Sequence, residues 1–247
     1  MTRENIEQLN NRLNLARPDE IICWAIGTFG VDVAASSSFQ TQSVPLLHII
    51  GRTCPELPIL FVDTGYHFPE TLRFRNKLQQ MWGLNLHTVG PILTGPCYPA
   101  PCDPDRCCHL RKVEPMQRAL QRYRAWITGI RRDQTAHRRH TRVLEPQPGG
   151  LLKINPLANW TREDVQAYAR QHNLPKHPLF EQGYRSVGCA PCTQPVDTNE
   201  DDRAGRWAGI GKTECGLHWR QGRIEPREER VCTKQPAWSA QVVRPPT

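Results

Sequence analysis

The sequence contains no long apolar run. No segment approaches the roughly 18 consecutive apolar residues that cross a membrane, and the polar opening MTRENIEQLNNRL lacks the apolar core of a secretory signal. The sequence also shows no internal repeat, which excludes a solenoid or a propeller. We therefore expect a cytoplasmic location with no membrane partner, in a compartment that keeps thiols reduced.

Two common phosphate-binding loops are also missing. A Walker loop would need glycines and a lysine after the first strand, and an adenylating enzyme would carry an SGGxDS loop. The sequence instead has SSSFQTQ between an apolar strand over 31–35 and a helix over 44–50. Strand, small-residue turn and helix together aim backbone N–H groups at an anion. The three serines, Ser36, Ser37 and Ser38, equally suit a plain helix N-cap, so both interpretations stay open.

Charge and cysteine content narrow the class of function. The 247 residues carry a formal net charge of +8, which favours an anionic partner. The basic residues are scattered instead of forming one long run, so a small anionic ligand is preferred to a nucleic acid. Ten cysteines in a reducing compartment favour metal binding or catalysis over a disulfide framework.

Apolar strands alternate with helical segments through most of the chain. Two helices are predicted within residues 1–30, and later ones over 69–82, 107–123 and 161–172. Strands are predicted over 31–35, 57–64, 84–89, 125–130 and 153–157. This succession is typical of an α/β fold with a doubly wound, mostly parallel sheet. The charged, proline-rich residues 220–247 predict a disordered tail.

Polar residues follow two of the predicted strands. The second strand ends in Asp63, Thr64 and Gly65, and Arg131 and Arg132 follow the fourth. Open parallel sheets bind ligands at the carboxyl ends of their strands. Because guanidinium groups suit phosphate and sulfate oxygens, this edge is predicted to hold an anionic ligand.

Four cysteines form two pairs that lie far apart in the sequence, Cys107 with Cys108 and Cys189 with Cys192. Together they supply four thiolates for one metal centre, either zinc or iron–sulfur. Adjacent cysteines suit a cluster better, because each can bind a different iron. The loop and tail cysteines are interpreted as incidental thiols: Cys97, Cys102 and Cys232.

One cysteine near the end of the predicted fold has basic neighbours. Cys215 lies in KTECGLH, with Lys212 and His218 three residues to either side. Positive charge favours the thiolate, which is the nucleophilic form, so Cys215 is the candidate nucleophile. Arg203 and Arg206 in DDRAGRW are candidates for binding an anion, although ion pairs with the adjacent aspartates would explain Arg203 equally well.

Seven motifs resemble those of the assimilatory sulfonucleotide reductases, the adenylyl-sulfate and phosphoadenylyl-sulfate reductases. In chain order they are SSSFxxQ, VDTGYHFPET, CCxxRKVEP, TGxRRDQ, HPLFxxGYxSxGCxPCT, RxGRW and KTECGLH. They extend from about Ala35 to His218. The cysteine pairs resemble the iron–sulfur branch, which typically reduces adenylyl sulfate. The cluster-free branch lacks them and prefers the 3′-phosphorylated substrate.

The resemblance implies a role for each matching residue. The phosphate loop would comprise Ser36, Ser37, Ser38 and Phe39, and the nucleotide would be lined by Asp63, Thr64 and Gly65. One 4Fe–4S cluster would be held by Cys107, Cys108, Cys189 and Cys192, with Lys112 between cluster and substrate. The phosphosulfate would be contacted by Arg131, Arg132, Arg203 and Arg206. Residues 31–196 would form the nucleotide- and cluster-binding domain, and 197–219 a mobile arm carrying Cys215.

The implied reaction is reduction of adenosine 5′-phosphosulfate to sulfite and AMP through an S-sulfocysteine on Cys215, in sulfate assimilation and cysteine biosynthesis. Thioredoxin, glutaredoxin or glutathione would supply the reducing thiol, and a homo-oligomer is compatible with the resemblance. Two features depart from it. The loop SSSFQTQ resembles the cluster-free branch more closely, which makes phosphoadenylyl sulfate an alternative substrate, and about thirty residues follow ECGLH.

Two other classes of function fit the sequence less well. An adenylating enzyme on the same fold would need the missing SGGxDS loop, and a nucleotide-binding regulator would not need Cys215. A zinc-bearing RNA-binding protein would use the basic charge but would leave ECGLH without a role, and its RNA binding would weaken with salt.

Overall fold

A computed structural model describes residues 3–92, 103–197, 199–209 and 212–217 of the chain. Its centre is one sheet of six strands, β1 (Val33–Ser36), β2 (Ile59–Val62), β3 (Leu86–Val89), β4 (Ala125–Ile127), β5 (Leu144–Pro146) and β6 (Leu152–Ile154). The order across the sheet is β3-β2-β1-β4-β6-β5, and every neighbouring pair is parallel except β5 with β6. The predicted α/β class with a mostly parallel sheet is confirmed.

Helices precede the first strand, connect several of the strands and follow the last of them. They are α1 (Arg3–Leu13), α2 (Pro18–Phe29), α3 (Val44–Thr53), α4 (Pro69–Trp82), α5 (Pro104–Cys108), α6 (Glu114–Leu120) and α7 (Arg162–Gln171). Thr161 caps α7: its hydroxyl accepts from the N–H of Asp164, whose carboxylate accepts from the N–H of Thr161. The predicted capping pair is therefore confirmed. None of the helices in the described ranges is both long and apolar enough to span a membrane.

Apolar side chains cover both faces of the sheet. All four residues of β1 and all four of β2 are buried. Successive residues of β1 join different clusters, since Val33 and Ala35 pack in the larger core and Ala34 packs in the smaller one with Trp126 and Met116. Because both faces are covered, the central strands are nearly continuous apolar runs, which is why the sequence predicts them well.

The order of the strands creates a crevice beside β1. The chain moves outward from β1 through β2 to β3, and then returns to place β4 on the other side of β1. The connections that leave the carboxyl ends of β1 and β4 therefore diverge from one another. Ligands of open α/β sheets bind at such a switch point.

Two details differ from the predictions. The predicted fifth strand over 153–157 is β6, and the short β5 that pairs with it was missed, because three residues ending in Pro146 carry little strand signal. The predicted helix over 107–123 is interrupted by a π-helical turn, His109–Val113, between α5 and α6. Pro115 lacks the N–H that would bond the carbonyl of Arg111, so a regular α-helix cannot continue through this point.

The edge strand β5 is completed by a side chain of α1. The amide Nδ2 of Asn10 donates to the carbonyl of Leu144 (3.0 Å), and the N–H of Leu144 donates to Oδ1 of Asn10 (2.9 Å). Asn10 is 5% exposed, so these bonds are shielded from water. One side chain thus satisfies the two backbone groups that a neighbouring strand would otherwise pair.

Candidate active site

A large cavity opens at the carboxyl ends of β1, β2 and β4. Its volume is about 1080 Å³, including the opening to solvent. The wall combines the serine turn after β1, the ends of β2 and β4, and side chains from 187–217. Among the residues predicted from the sequence, this cavity brings together Ser36, Ser37, Ser38, Lys112, Arg203, Arg206 and Cys215.

The serine turn, Ser36 to Ser38, forms part of the cavity wall. The hydroxyl of Ser36 accepts from Nε1 of Trp126 (2.8 Å), and that of Ser37 accepts from the N–H of Phe39 (3.1 Å). Phe39 has a left-handed φ of 54° and is fully buried, so it anchors the turn in the core instead of lining the cavity. The N-cap of α3 is Ser43, and its own side chain makes no capping hydrogen bond. The interpretation of the three serines as an N-cap is therefore not supported.

A second cavity adjoins the first and is lined by all four paired cysteines, and we name it the thiol cavity. It measures about 330 Å³ including its opening, and its wall consists of Thr64, Tyr66, Cys107, Cys108, Arg111, Lys112, Cys189, Pro191 and Cys192. Burial raises the pKa of the Cys107 thiol to about 11 and that of Cys108 to about 12. The thiols surround a space, and within the described ranges no three His, Cys, Asp or Glu side chains are grouped around the position of one metal ion.

The turn after β2 brings the second cysteine pair to the sheet. His67 and Cys189 form an isolated antiparallel bridge, and the N–H of Ala190 donates to the carbonyl of Tyr66 (2.7 Å). The hydroxyl of Thr64 lies 3.3 Å from Sγ of Cys189. Thr64, which the sequence places at the nucleotide, therefore belongs to the wall of the thiol cavity.

Asp63 and Gly65 shape this turn. The carboxylate of Asp63 accepts from the N–H of Gly65 (2.9 Å), and Gly65 has a φ of 74°. A left-handed residue at this position favours glycine. Neither residue lines the larger cavity, so their predicted contact with a nucleotide stays a prediction.

Lys112 is the one side chain in the described ranges that lines both cavities. It lies in the π-helical turn directly after Cys108, and π-turns occur frequently at functional sites. Burial lowers its pKa, but attraction to the thiolate forms of Cys189, Cys215 and Cys108 outweighs burial and raises the pKa above its usual value. The side chain therefore remains a cation between the thiols and the larger cavity.

Residues 212–217 lie against the larger cavity and are fixed through Glu214. Its carboxylate accepts from Nη2 of Arg138 (2.7 Å) and from the hydroxyl of Thr135 (3.1 Å), and Nη2 of Arg203 lies 3.6 Å away. Burial raises the pKa of Glu214, but Arg138 and Arg203 outweigh it and lower the pKa overall. We name this group, Glu214 with Arg138, Arg203 and Thr135, the arm latch.

The latch places Cys215 in the cavity wall. Burial raises the pKa of the Cys215 thiol, but Lys112, a hydrogen bond from the N–H of Leu217, and Arg206 together outweigh burial and the charge of Glu214. The pKa is therefore below that of an ordinary thiol. A thiol of lowered pKa beside cations is typical of a reactive cysteine.

The two arginines of the RxGRW motif differ in how much of their hydrogen-bonding capacity is used. Arg203 donates through Nη2 to the carbonyl of Thr213 (2.8 Å) and lies beside Glu214. Arg206 donates through Nη1 to the carbonyl of Val187 (3.3 Å), and its buried Nε has no partner in the described ranges. Arg206 is therefore the better placed of the two to bind an anion in the cavity. Within the described ranges the guanidinium of Arg203 pairs with Glu214 and not with Asp201 or Asp202, the alternative that the sequence left open.

The two arginines after β4 lie outside the cavity wall. Arg131 is 2% exposed and donates to Asp133 (2.9 Å) and Gln42 (3.2 Å), and it borders a polar cavity that shares Gln42, Gln134 and Arg203 with the larger one. Arg132 donates to the carbonyl of Thr141 (2.7 Å) and contacts the N-terminal segment. Their predicted contacts with a phosphosulfate stay predictions.

Several site residues were missed from the sequence. Arg138 and Glu214 are 76 residues apart, and nothing in their spacing links them. His67 also lines the larger cavity, and burial lowers its pKa to about 4, so it is neutral near pH 7. The predicted residues His218, Cys97, Cys102 and Cys232 and the tail over 220–247 lie outside the described ranges.

Residues 32–195 match the family described as phosphoadenosine phosphosulfate reductase domain. The chain is 44% identical over 220 residues to an adenosine 5′-phosphosulfate reductase of Streptomyces coelicolor, an alignment that covers 86% of this chain and 92% of the relative. It is 39% identical over 224 residues to a phosphoadenosine 5′-phosphosulfate reductase of Gloeobacter violaceus, covering 86% and 93% of the two chains.

A solved structure shares the architecture. It is a phosphoadenylyl-sulfate reductase from Candida auris in a phosphate complex, with a TM-score of 0.69 and 29% sequence identity. The superposition covers 79% of this chain and 98% of that one. The similarity thus extends over nearly all of the solved chain.

Proposed function

Because this chain belongs to the phosphoadenosine phosphosulfate reductase domain family, we propose that it reduces adenosine 5′-phosphosulfate to sulfite and AMP. The observation that carries the proposal is the position of Cys215, a thiol of lowered pKa in the wall of a cavity that also holds Lys112 and Arg206. The name of the Streptomyces relative supports adenylyl sulfate as the substrate.

Two groups of polar residues in the larger cavity suit the two ends of the proposed substrate. The serine turn offers hydroxyl and backbone donors at the carboxyl end of β1, which suits phosphate oxygens. Lys112 and Arg206 lie with Cys215 and suit the sulfate end, where negative charge must be offset before a thiolate can approach. A nucleotide bound with its sulfur towards Cys215 would use both groups.

In the first step the thiolate of Cys215 attacks the sulfur of the phosphosulfate. A bond forms between Sγ and that sulfur, and the bond from the sulfur to the bridging phosphate oxygen breaks. AMP leaves with the electron pair of that bond, and the enzyme carries an S-sulfocysteine. Lys112 and Arg206 offset the charge that develops on the leaving phosphate, a contribution of several kcal/mol in preorganised sites.

In the second step an external thiolate attacks Sγ of Cys215. The bond between the two sulfurs of the S-sulfocysteine breaks, and sulfite leaves with the electron pair. A second thiol of the same donor then resolves the mixed disulfide and restores Cys215. A dithiol such as thioredoxin is thereby oxidised to its disulfide and supplies both electrons.

The four cysteines of the thiol cavity fit a 4Fe–4S cluster. Four thiols that line one cavity form the donor set of such a cluster, and Cys107, Cys108, Cys189 and Cys192 would hold it. When bound, the cluster would supply a local field and not electrons, because thiol exchange already provides the two electrons of the reaction. Lys112 lies where it would transmit that field to the larger cavity.

The arm latch is expected to control the formation of the S-sulfocysteine. In Glu214→Gln the ionic bonds to Arg138 and Arg203 are lost, so residues 212–217 should occupy the cavity less often. We expect adduct formation to slow by about tenfold, the value of one hydrogen bond to a charged group. Rapid-quench mass spectrometry of a single turnover measures this rate.

The matched control for this change is Glu181→Gln. Glu181 forms an exposed pair with Lys176, and its side chain is 73% exposed, so the substitution should leave the rate unchanged. An unaltered rate in Glu214→Gln would show that the latch does not position Cys215.

The proposed function is tested by steady-state release of sulfite from each sulfonucleotide. Adenosine 5′-phosphosulfate should be the better substrate, and thioredoxin should support turnover more efficiently than glutathione. No sulfite from either nucleotide with either donor would refute the proposal.

Phosphoadenosine 5′-phosphosulfate is the second candidate substrate. Two observations favour it, the loop SSSFQTQ and the 39% identity to the Gloeobacter enzyme of that name. The products would then be sulfite and adenosine 3′,5′-bisphosphate. Comparison of kcat/KM for the two nucleotides in the same assay decides between them.

A further inference from the structure

Gly188 is in contact with the guanidinium group of Arg206. A Cβ placed on Gly188 would lie 2.8 Å from Nη1 of Arg206 and closer still to Nη2 and Cζ. Contacts under 3.0 Å are essentially never seen for real Cβ atoms. Arg206 can therefore occupy its observed position only while residue 188 has no side chain.

Backbone conformation does not explain why residue 188 is glycine. Gly183, five residues earlier, has a φ of 86°, which L-residues rarely adopt. Gly188 does not have a positive φ, so an alanine could follow the same backbone path. The requirement for glycine at 188 comes from the packing of Arg206.

Arg206 has a second neighbour in Trp207. Cζ of Arg206 lies 4.4 Å from the centroid of the Trp207 ring, which is 3% exposed. Trp207 is itself held by the hydrogen bond from its backbone N–H to the carbonyl of Cys192 (3.0 Å). The guanidinium of Arg206 therefore packs against both Gly188 and Trp207. The buried Nε of Arg206 has no partner in the described ranges.

We propose that Gly188 is a positioning residue, which acts by leaving room for Arg206 to bind the anionic end of the nucleotide. The inference rests on the proposed function only for the identity of that nucleotide. A guanidinium displaced by about 1 Å can cost roughly 100-fold in rate. The fold should tolerate alanine at 188, because the colliding atoms belong to the far end of a flexible side chain and not to the backbone.

A double-mutant cycle between Gly188→Ala and Arg206→Ala tests the inference. Gly188→Ala alone is expected to lower kcat/KM for sulfite release by about 100-fold, and Arg206→Ala by at least as much. The double variant should be no worse than Arg206→Ala, because alanine at 188 has then no guanidinium to displace. Effects that multiply would overturn the inference.

Three further measurements separate this role from a structural one. Iron content and melting temperature should be unchanged in Gly188→Ala, whereas loss of iron would mean that the substitution acts through the adjacent Cys189 and would overturn the inference. Binding of adenosine 5′-phosphosulfate in a Cys215→Ser background should follow the same cycle without any turnover. The control is Gly27→Ala in α2, where an added Cβ meets nothing within 4 Å, and its activity should equal that of the unsubstituted protein.

The failure of the proposed function would appear differently. Unsubstituted protein that releases no sulfite contradicts the reductase activity, whereas the binding cycle still reports whether Gly188 positions Arg206. If Gly188→Ala and the unsubstituted residue give the same affinity for adenosine 5′-phosphosulfate in that background, the inference is overturned even when the enzyme is active.

Discussion

Replacing Cys215 with serine is expected to abolish sulfite release, by at least about 10⁴-fold, the scale seen when a catalytic nucleophile is removed. Serine fills the same place in the cavity wall, but its hydroxyl stays protonated near neutral pH and is a poor nucleophile towards sulfur. The S-sulfocysteine should also disappear. Mass spectrometry of enzyme mixed with adenosine 5′-phosphosulfate without a reductant detects it as one added sulfonate on the peptide that contains Cys215.

The matched control is Cys23→Ser. Cys23 is an exposed thiol of α2 and lines neither cavity, so the adduct and the activity should persist. Sulfite release by Cys215→Ser at the rate of the unsubstituted enzyme would exclude covalent catalysis at this residue.

The pH dependence of adduct formation gives an independent check. Burial raises the pKa of Cys215, but Lys112, the N–H of Leu217 and Arg206 lower it below the ordinary value. The thiolate should therefore persist at pH values where an ordinary thiol, of pKa near 8.5, is protonated. In Lys112→Ala the largest of these lowering influences is removed, so the midpoint should move to higher pH.

Replacing Cys192 with serine is expected to empty the thiol cavity. Purified protein should be brown and contain about four irons per chain, with each paired cysteine binding one iron. Cys192→Ser should lose most of the iron and the visible absorption, because serine is a poor ligand for iron in this setting. Iron analysis and the visible spectrum measure both effects without reference to activity.

Activity should fall together with the iron. We expect the cluster to attract the ammonium group of Lys112, so in its absence Lys112 should be held less firmly and the substrate should bind more weakly. Cys23→Ser should retain iron and colour. A colourless, zinc-loaded protein with full activity would refute the cluster assignment.

The central sheet could be predicted because its signal is local. β1, β2 and β4 are buried on both faces, so their sequences are short apolar runs. The polar residues that follow them indicate the ligand-binding edge of the sheet. β5 carries three residues and is stabilised by pairing with β6 and Asn10. Tertiary contact, and not a local pattern, makes it a strand, so the sequence did not reveal it.

The site was only partly visible in the sequence for the same reason. Cysteine, serine and arginine were recognised by residue type and motif, and the cavities bring many of them together. Which arginine remains able to bind a ligand depends on long-range partners. Arg131 is paired with Asp133 and Gln42, whereas Arg206 is held against Gly188 and its Nε has no partner among the residues that the structure describes. Such differences arise from packing, which motif spacing does not encode.

The amide of Asn10 against β5 has a consequence for any shortened form of the chain. A protein beginning after residue 13 would still contain the residues of all six strands and of both cavities, but it would present the outer backbone groups of Leu144 to solvent. Unpaired strand edges recruit other strands. The first helix thus covers a sheet edge that could otherwise pair with a second molecule. We expect its removal to promote aggregation, although α1 is far in the sequence from Cys215.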